Sequence, residues 1–206
     1  VVARGVANHS RFRTDATGRL RRTLDAVYTV AFGTVDEIEA VRRGVARAHQ
    51  AVRGPGYSGF DPGAQLWVLA TLVLGSVTMY ERFVAPLSDD DKDAFLKEND
   101  RFGSVFGLPA GSLPRTWAGF RNYVEEMFGG PLLGSDPVCG EVARAVIRPD
   151  APFWMRQLSP VFRALALECI PPPVAGRLGL GASILRRPLW RMLELLLAGR
   201  LGMLPD

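Results

Sequence analysis

Residues 45–54 read VARAHQAVRG and set His49 among valines, alanines and arginines. It is one of only two histidines in 206 residues, the other being His9. An imidazole can move a proton, bind a metal or sit hydrogen-bonded in a core. Ile38, Val41, Val45, His49 and Val52 recur at spacings of 3, 4, 4 and 3, which is one face of a helix. That register turns His49 inward and leaves Arg47 and Arg53 on the solvated edge. An unpaired imidazole inside a core costs about 1–3 kcal/mol. His49 therefore needs a hydrogen-bond partner or a metal, and the pattern leaves both open. Haem iron is one metal that a single protein nitrogen can hold, with an apolar pocket supplying the remaining contacts.

A second group lies upstream. Arg19, Arg22 and Thr23 fall at i, i+3 and i+4 and share a helical face beside an apolar stripe. They could form a solvated basic edge, with Thr23 bonding back to a backbone carbonyl. They could equally form a cationic, hydroxyl-bearing wall that pairs with an anion such as a haem propionate, or polarises a bound oxygen species.

The elements that must position these groups are helical. Leu20, Leu24, Val27 and Ala31 mark an amphipathic helix that Gly33 stops. Thr34 and Glu37 form a capping box that opens the helix carrying His49. Gly54-Pro55-Gly56 ends that helix. Asp61-Pro62 starts a third helix, apolar almost all round from Leu66 to Tyr80. That run is shorter than the roughly 20 residues of a membrane span, so a buried central helix is expected, with Trp67 to Leu74 walling a pocket. Ser88 followed by Asp89, Asp90 and Asp91 is a helix start with acids on the positive dipole end. Trp117, Phe120, Val124 and Met127 or Phe128 share one face of the next helix, and shorter helices follow near 136–147 and 160–169. The last apolar stretch, 184–205, carries Trp190, many leucines and flanking arginines. It could close the core or make a peripheral membrane contact. With no alternating strand pattern, the expected architecture is all-α: one domain over 1–206, of seven or more helices.

Composition narrows the classes. Hydrophobic residues make up 48% and charged residues 22%, which is globular usage. The net charge of +4 is almost wholly arginine, since Lys92 and Lys97 are the only lysines. The arginines are scattered without interleaved aromatics, so no nucleic-acid partner is expected. Cys139 and Cys169 form no CxxC and no Cys/His cluster, which argues against a disulfide framework or structural zinc. Dinucleotide, phosphate-loop, nucleophile-elbow and zinc-hydrolase motifs are absent. The chain opens on VVARGVANHS without an initiator Met or a visible signal peptide. We expect missing N-terminal residues and a cytoplasmic or membrane-associated protein.

The marks GVANHSRF (5–12), GRLRRT (18–23), AFG (31–33), HQAVRG (49–54), YSGFDPGAQLWVLATLV (57–73), YERFVAPLS (80–88) and FGSVFGLP (102–109) carry a resemblance in their order and spacing. The chain resembles the oxygenase family that includes the membrane-associated oxygenase of mycophenolic acid biosynthesis and the catalytic domain of latex-clearing rubber oxygenases. The resemblance implies a globin-like helical fold with haem b and an oxygenase or oxidoreductase activity. It implies His49 as the proximal iron ligand, Arg19 and Thr23 on the distal side, and Trp67 beside the cofactor. Two positions depart from the family. Arg22 stands where rubber oxygenases carry a lysine able to approach the iron, and an arginine is a poor ligand. Leu69 stands where many relatives carry a histidine. The catalytic carboxylate that rubber oxygenases carry upstream of the arginine motif has no clear counterpart here, so cleavage of a polymer is not expected. The expected partners are dioxygen and a small apolar substrate. The alternative is a haem-free relative that binds a lipid-like ligand without catalysis. His9 is expected to be structural rather than catalytic.

Overall fold

The computed structural model describes residues 2–10, 15–130, 137–147, 159–168, 170–180, 188–192 and 195. Among them the chain forms nine helices and one two-stranded ladder. The helices are α1 (Val2–His9), α2 (Ala16–Phe32), α3 (Val35–Ala51), α4 (Pro62–Phe83), α5 (Asp89–Val105), α6 (Trp117–Gly129), α7 (Pro137–Val146), α8 (Ser159–Glu168) and α9 (Pro172–Arg177). The fold is all-α.

Helix starts follow from local chemistry. Asp61 caps α4 by accepting from the Ala64 amide at 2.7 Å, and Pro62 follows it in the first turn, where no amide proton is needed. Thr34 and Glu37 close a reciprocal box at the head of α3, the Thr34 amide donating to Glu37 Oε2 at 2.8 Å. Ser88 and Asp91 do the same for α5. The acidic run at 89–91 thus opens a helix, with Asp91 committed to the cap.

The larger core joins α4, α5 and α6. Leu69, Ala70 and Val73 of α4 meet Leu96 of α5 and Phe120 and Val124 of α6. Phe120 is completely enclosed, as its helical register demands. Asp100 bonds the amides of Gly111 and Leu113 and so holds the α5–α6 connection over this core. A smaller cluster gathers Ile147, Leu167, Ala175 and Leu180 from the C-terminal helices.

Three expectations need correction. The first is the absence of strands. After α3 the chain makes a short antiparallel ladder, β1 (Arg53–Gly54) on β2 (Tyr57–Ser58), pairing Arg53 with Ser58 and Gly54 with Tyr57. Pro55-Gly56 turns it, and Gly56 has φ of 75°, the left-handed region that glycine reaches without strain. The second is burial of the central helix. The side of α4 facing α5 and α6 is covered, while Val68 and Leu72 are 42% and 52% exposed. By length and composition alone α4 is apolar enough to cross a membrane. The third is α2, whose stripe residues Leu20 and Leu24 are 60% and 42% exposed. The periodicity is right, but α2 packs on α3 and α5 without covering that stripe.

In the C-terminal stretch, Trp190 is buried. Its ring packs against Phe83, with centroids 5.4 Å apart, and the Arg82 guanidinium lies 4.5 Å from its centroid. The rest of 184–205, apart from 188–192 and 195, lies outside the described residues.

Candidate functional site

His49 sits in the last turn of α3, two residues before the helix ends at Ala51. Its ring is half-buried, and no residue of α3 is fully buried, so the inward register holds only in part. Burial holds the imidazole pKa below its ordinary 6.5, which favours the neutral ring. A neutral ring is the form that binds metal or works as a base.

The loop after α3 folds back on this turn. The Val52 amide donates to the His49 carbonyl at 3.0 Å, and the Gly59 amide donates to the Val52 carbonyl at 2.8 Å. Gly59 then lies against the His49 backbone so closely that a Cβ there would be 2.9 Å from His49 Cα. Phe60 presents its ring to the imidazole edge-on, with centroids 6.1 Å apart and planes at 87°. Gln65, in the first turn of α4, completes the group. Its Nε2 donates to the Gly59 carbonyl at 2.8 Å and lies 3.3 Å from His49 Nδ1. Val68 and Leu72 follow Gln65 at i+3 and i+7, so the same strip of α4 continues as exposed apolar surface.

The other expected site residues are separate in their bonding. Thr23 donates its hydroxyl to the Arg19 carbonyl at 3.0 Å. Arg22 donates to Asp15, the N-cap of α2, at 3.0 Å. Arg19 is half-buried and, among the described residues, makes no ion pair. No described bond joins this trio to His49. Trp67 points into the core between Tyr123 and Phe128, at centroid distances of 6.4 and 5.6 Å. Leu69 leans onto α5, where a Cβ on Gly103 would come within 2.6 Å of its Cδ2. His9 lies 3.1 Å from the Arg53 carbonyl and 3.2 Å from the Tyr57 hydroxyl, which ties α1 to the small ladder.

Sequence reasoning missed Gln65, Gly59 and Phe60. A lone amide in the first turn of an otherwise apolar helix was the available signal for Gln65. Its partner lies 16 residues away, so only the fold could pair them.

A haem needs one protein nitrogen and an apolar bed. One half-buried neutral imidazole, with an aromatic edge and exposed apolar faces nearby, has the residue types for this, with the Gln65 amide nitrogen set against Nδ1 in the arrangement described. Among the described residues no group of three or more His, Cys, Asp or Glu gathers as a many-ligand metal site would require.

An uncharacterised protein of Mycobacterium tuberculosis and one of Mycobacterium bovis are each 31% identical to the chain over 117 residues. That match covers 54% of this chain and 46% of each relative, so the chain spans just under half of the curated relatives it matches. No solved structure shows a significant match. Residues 1–199 match the family described as ER-bound oxygenase mpaB/B'/Rubber oxygenase, catalytic domain, and the chain therefore belongs to that family of oxygenase domains.

Proposed function

We propose that the protein is a haem-dependent oxygenase acting on a small apolar substrate, with His49 as the iron ligand. The observation that carries this is the His49 turn itself. A neutral, half-buried imidazole is clamped by the returning loop and flanked by Phe60 and the open apolar strip of α4. The family supplies the oxygenase class. Bound haem would supply oxygen activation and electron transfer, and the chain supplies orientation and polarity. Phe60 and the strip through Val68 and Leu72 would exclude water and receive apolar groups. Arg19 is better suited than Arg22 to meet an anion, because Arg22 is already engaged by Asp15. Thr23 donates its proton within α2, so its oxygen is left to accept.

The purified protein should show a Soret band, either as isolated or after addition of haemin, and His49→Ala should abolish it. A colourless protein that fails to take up haemin would sink the proposal.

One observation favours the alternative, a haem-free relative that holds a lipid-like ligand. The Gln65 amide nitrogen, a donor, faces His49 Nδ1. Native mass spectrometry showing co-purified lipid and no iron would select that reading.

A further inference from the structure

The Gln65 amide is bound at two places by one atom. Nε2 reaches both the Gly59 carbonyl, at 2.8 Å, and His49 Nδ1, at 3.3 Å. An amide nitrogen carries two hydrogens and no available lone pair. The carbonyl of Gly59 can only accept. Turning the amide over would set Oε1 against that carbonyl, acceptor against acceptor. The carbonyl cannot easily retreat, because the Gly59 amide is tied to Val52 and its Cα rests on the His49 backbone. The second amide hydrogen is therefore delivered to Nδ1, and the ring proton is left on Nε2.

This matters for ligation. A metal-bound histidine uses the lone pair of one ring nitrogen while the other donates its N–H to an acceptor such as a carbonyl or carboxylate. Here Nδ1 is met by a donor and Nε2 carries the proton. Neither nitrogen offers a lone pair to iron while the Gln65 bonds stand.

We propose that Gln65 is a positioning residue that sets the tautomer of His49, and that the chain takes up haem only when the Gln65 amide releases Nδ1. The proposal rests on His49 as the iron ligand. Gly59 acts through its carbonyl, which fixes which end of the amide the ring sees. A carboxylate at position 65 can only accept, so it gives up the bond to the Gly59 carbonyl and, turned from that carbonyl toward the ring, draws the proton to Nδ1. Methionine at 65 keeps the length of the side chain and removes both bonds.

The test begins on the haem-free chain at about pH 8, above the ordinary histidine range, so that the rings are neutral. With only His9 and His49 present, nitrogen-15 labelling of histidine gives two rings to assign, and His49→Ala identifies its own. In the wild type the long-range nitrogen–proton spectrum should show His49 protonated on Nε2. Gln65→Glu should move the proton to Nδ1, and Gln65→Met should give a mixture. Haemin titration should then show Gln65→Glu binding on the order of tenfold tighter than the wild type, the usual scale for a partner of a metal ligand. A wild-type proton on Nδ1, or a Gln65→Glu ring unchanged from wild type, overturns the proposal. Equal haemin affinity in spite of a moved proton overturns the link to cofactor uptake. Failure of every variant to take up haemin overturns the ligand role of His49, while the nitrogen spectrum still decides what Gln65 does.

Discussion

A methyl group at position 59 has nowhere to go. Built on Gly59, it would press on the His49 carbonyl oxygen and lie 2.9–3.0 Å from the neighbouring backbone carbons. Neither side can yield cheaply, because the contact is with main chain. Gly59→Ala should lower stability by about 1–3 kcal/mol, the usual range for overpacking, and should displace the imidazole from Gln65. A thermal melt and the His49 nitrogen spectrum check the two effects separately. Loss of stability with an unchanged ring signal would show that the loop moves without its histidine. This residue's importance was not legible in the sequence, where it is one glycine among many. His49 was legible, because helical register alone placed it on a stripe with Val45 and Val52. Its surroundings were not, since Phe60 and Gln65 reach it only after the chain has turned through the 53–58 ladder.

Helix starts could be read almost to the residue, and the reason is locality. A cap is made within four residues, so Thr34 with Glu37, Asp61 with Pro62, and Ser88 with Asp91 each declare themselves without help from the rest of the chain. Which face of a helix is covered depends on partners far off in sequence. For α2 the period was right and the coverage was not, and α4, apolar almost all round, turned out to be covered on part of its surface only. The junction of α4 and α5 gives a test of its own. Lys92, only 12% exposed at its side chain, donates to Glu81 at 2.7 Å. That bond, ahead of the Leu87 amide and the charge of Lys92, holds the Glu81 carboxyl below its ordinary 4.5. The folded state then binds fewer protons than the unfolded one across this window. The pair therefore contributes stability above pH 4.5, and that contribution is lost as pH falls through the lowered value. Glu81→Gln should lower Tm at neutral pH and narrow its gap to the wild type under acid. Melts from pH 7 down to pH 3 check this, and a constant gap would remove the role of Glu81.

On the scale of the whole molecule, the apolar side chains divide unevenly. One part fills the α4–α5–α6 core and a smaller cluster near the C-terminus, and another part is left on the outer surfaces of α2 and α4. Leu20 and Leu24 contribute less to folding than the core leucines, because they keep 60% and 42% of their surface in water. Replacing both with glutamine should cost no more than about 1 kcal/mol, about 0.5 kcal/mol being usual for each surface substitution. If α2 receives an apolar ligand, the same double variant should bind haemin or a lipid-like probe more weakly with only a small fall in Tm, which titration beside a melt resolves. A large loss of Tm would show that these leucines are covered in solution. The placement of Trp67 has an optical consequence. Its indole follows Gln65 by two residues on a rigid helix and is held by Tyr123 and Phe128. A chromophore bound at His49 would drain its excited state, so the dimming of intrinsic emission reports arrival of the cofactor without any label. A chain whose other three tryptophans are replaced by phenylalanine would carry that reporter alone.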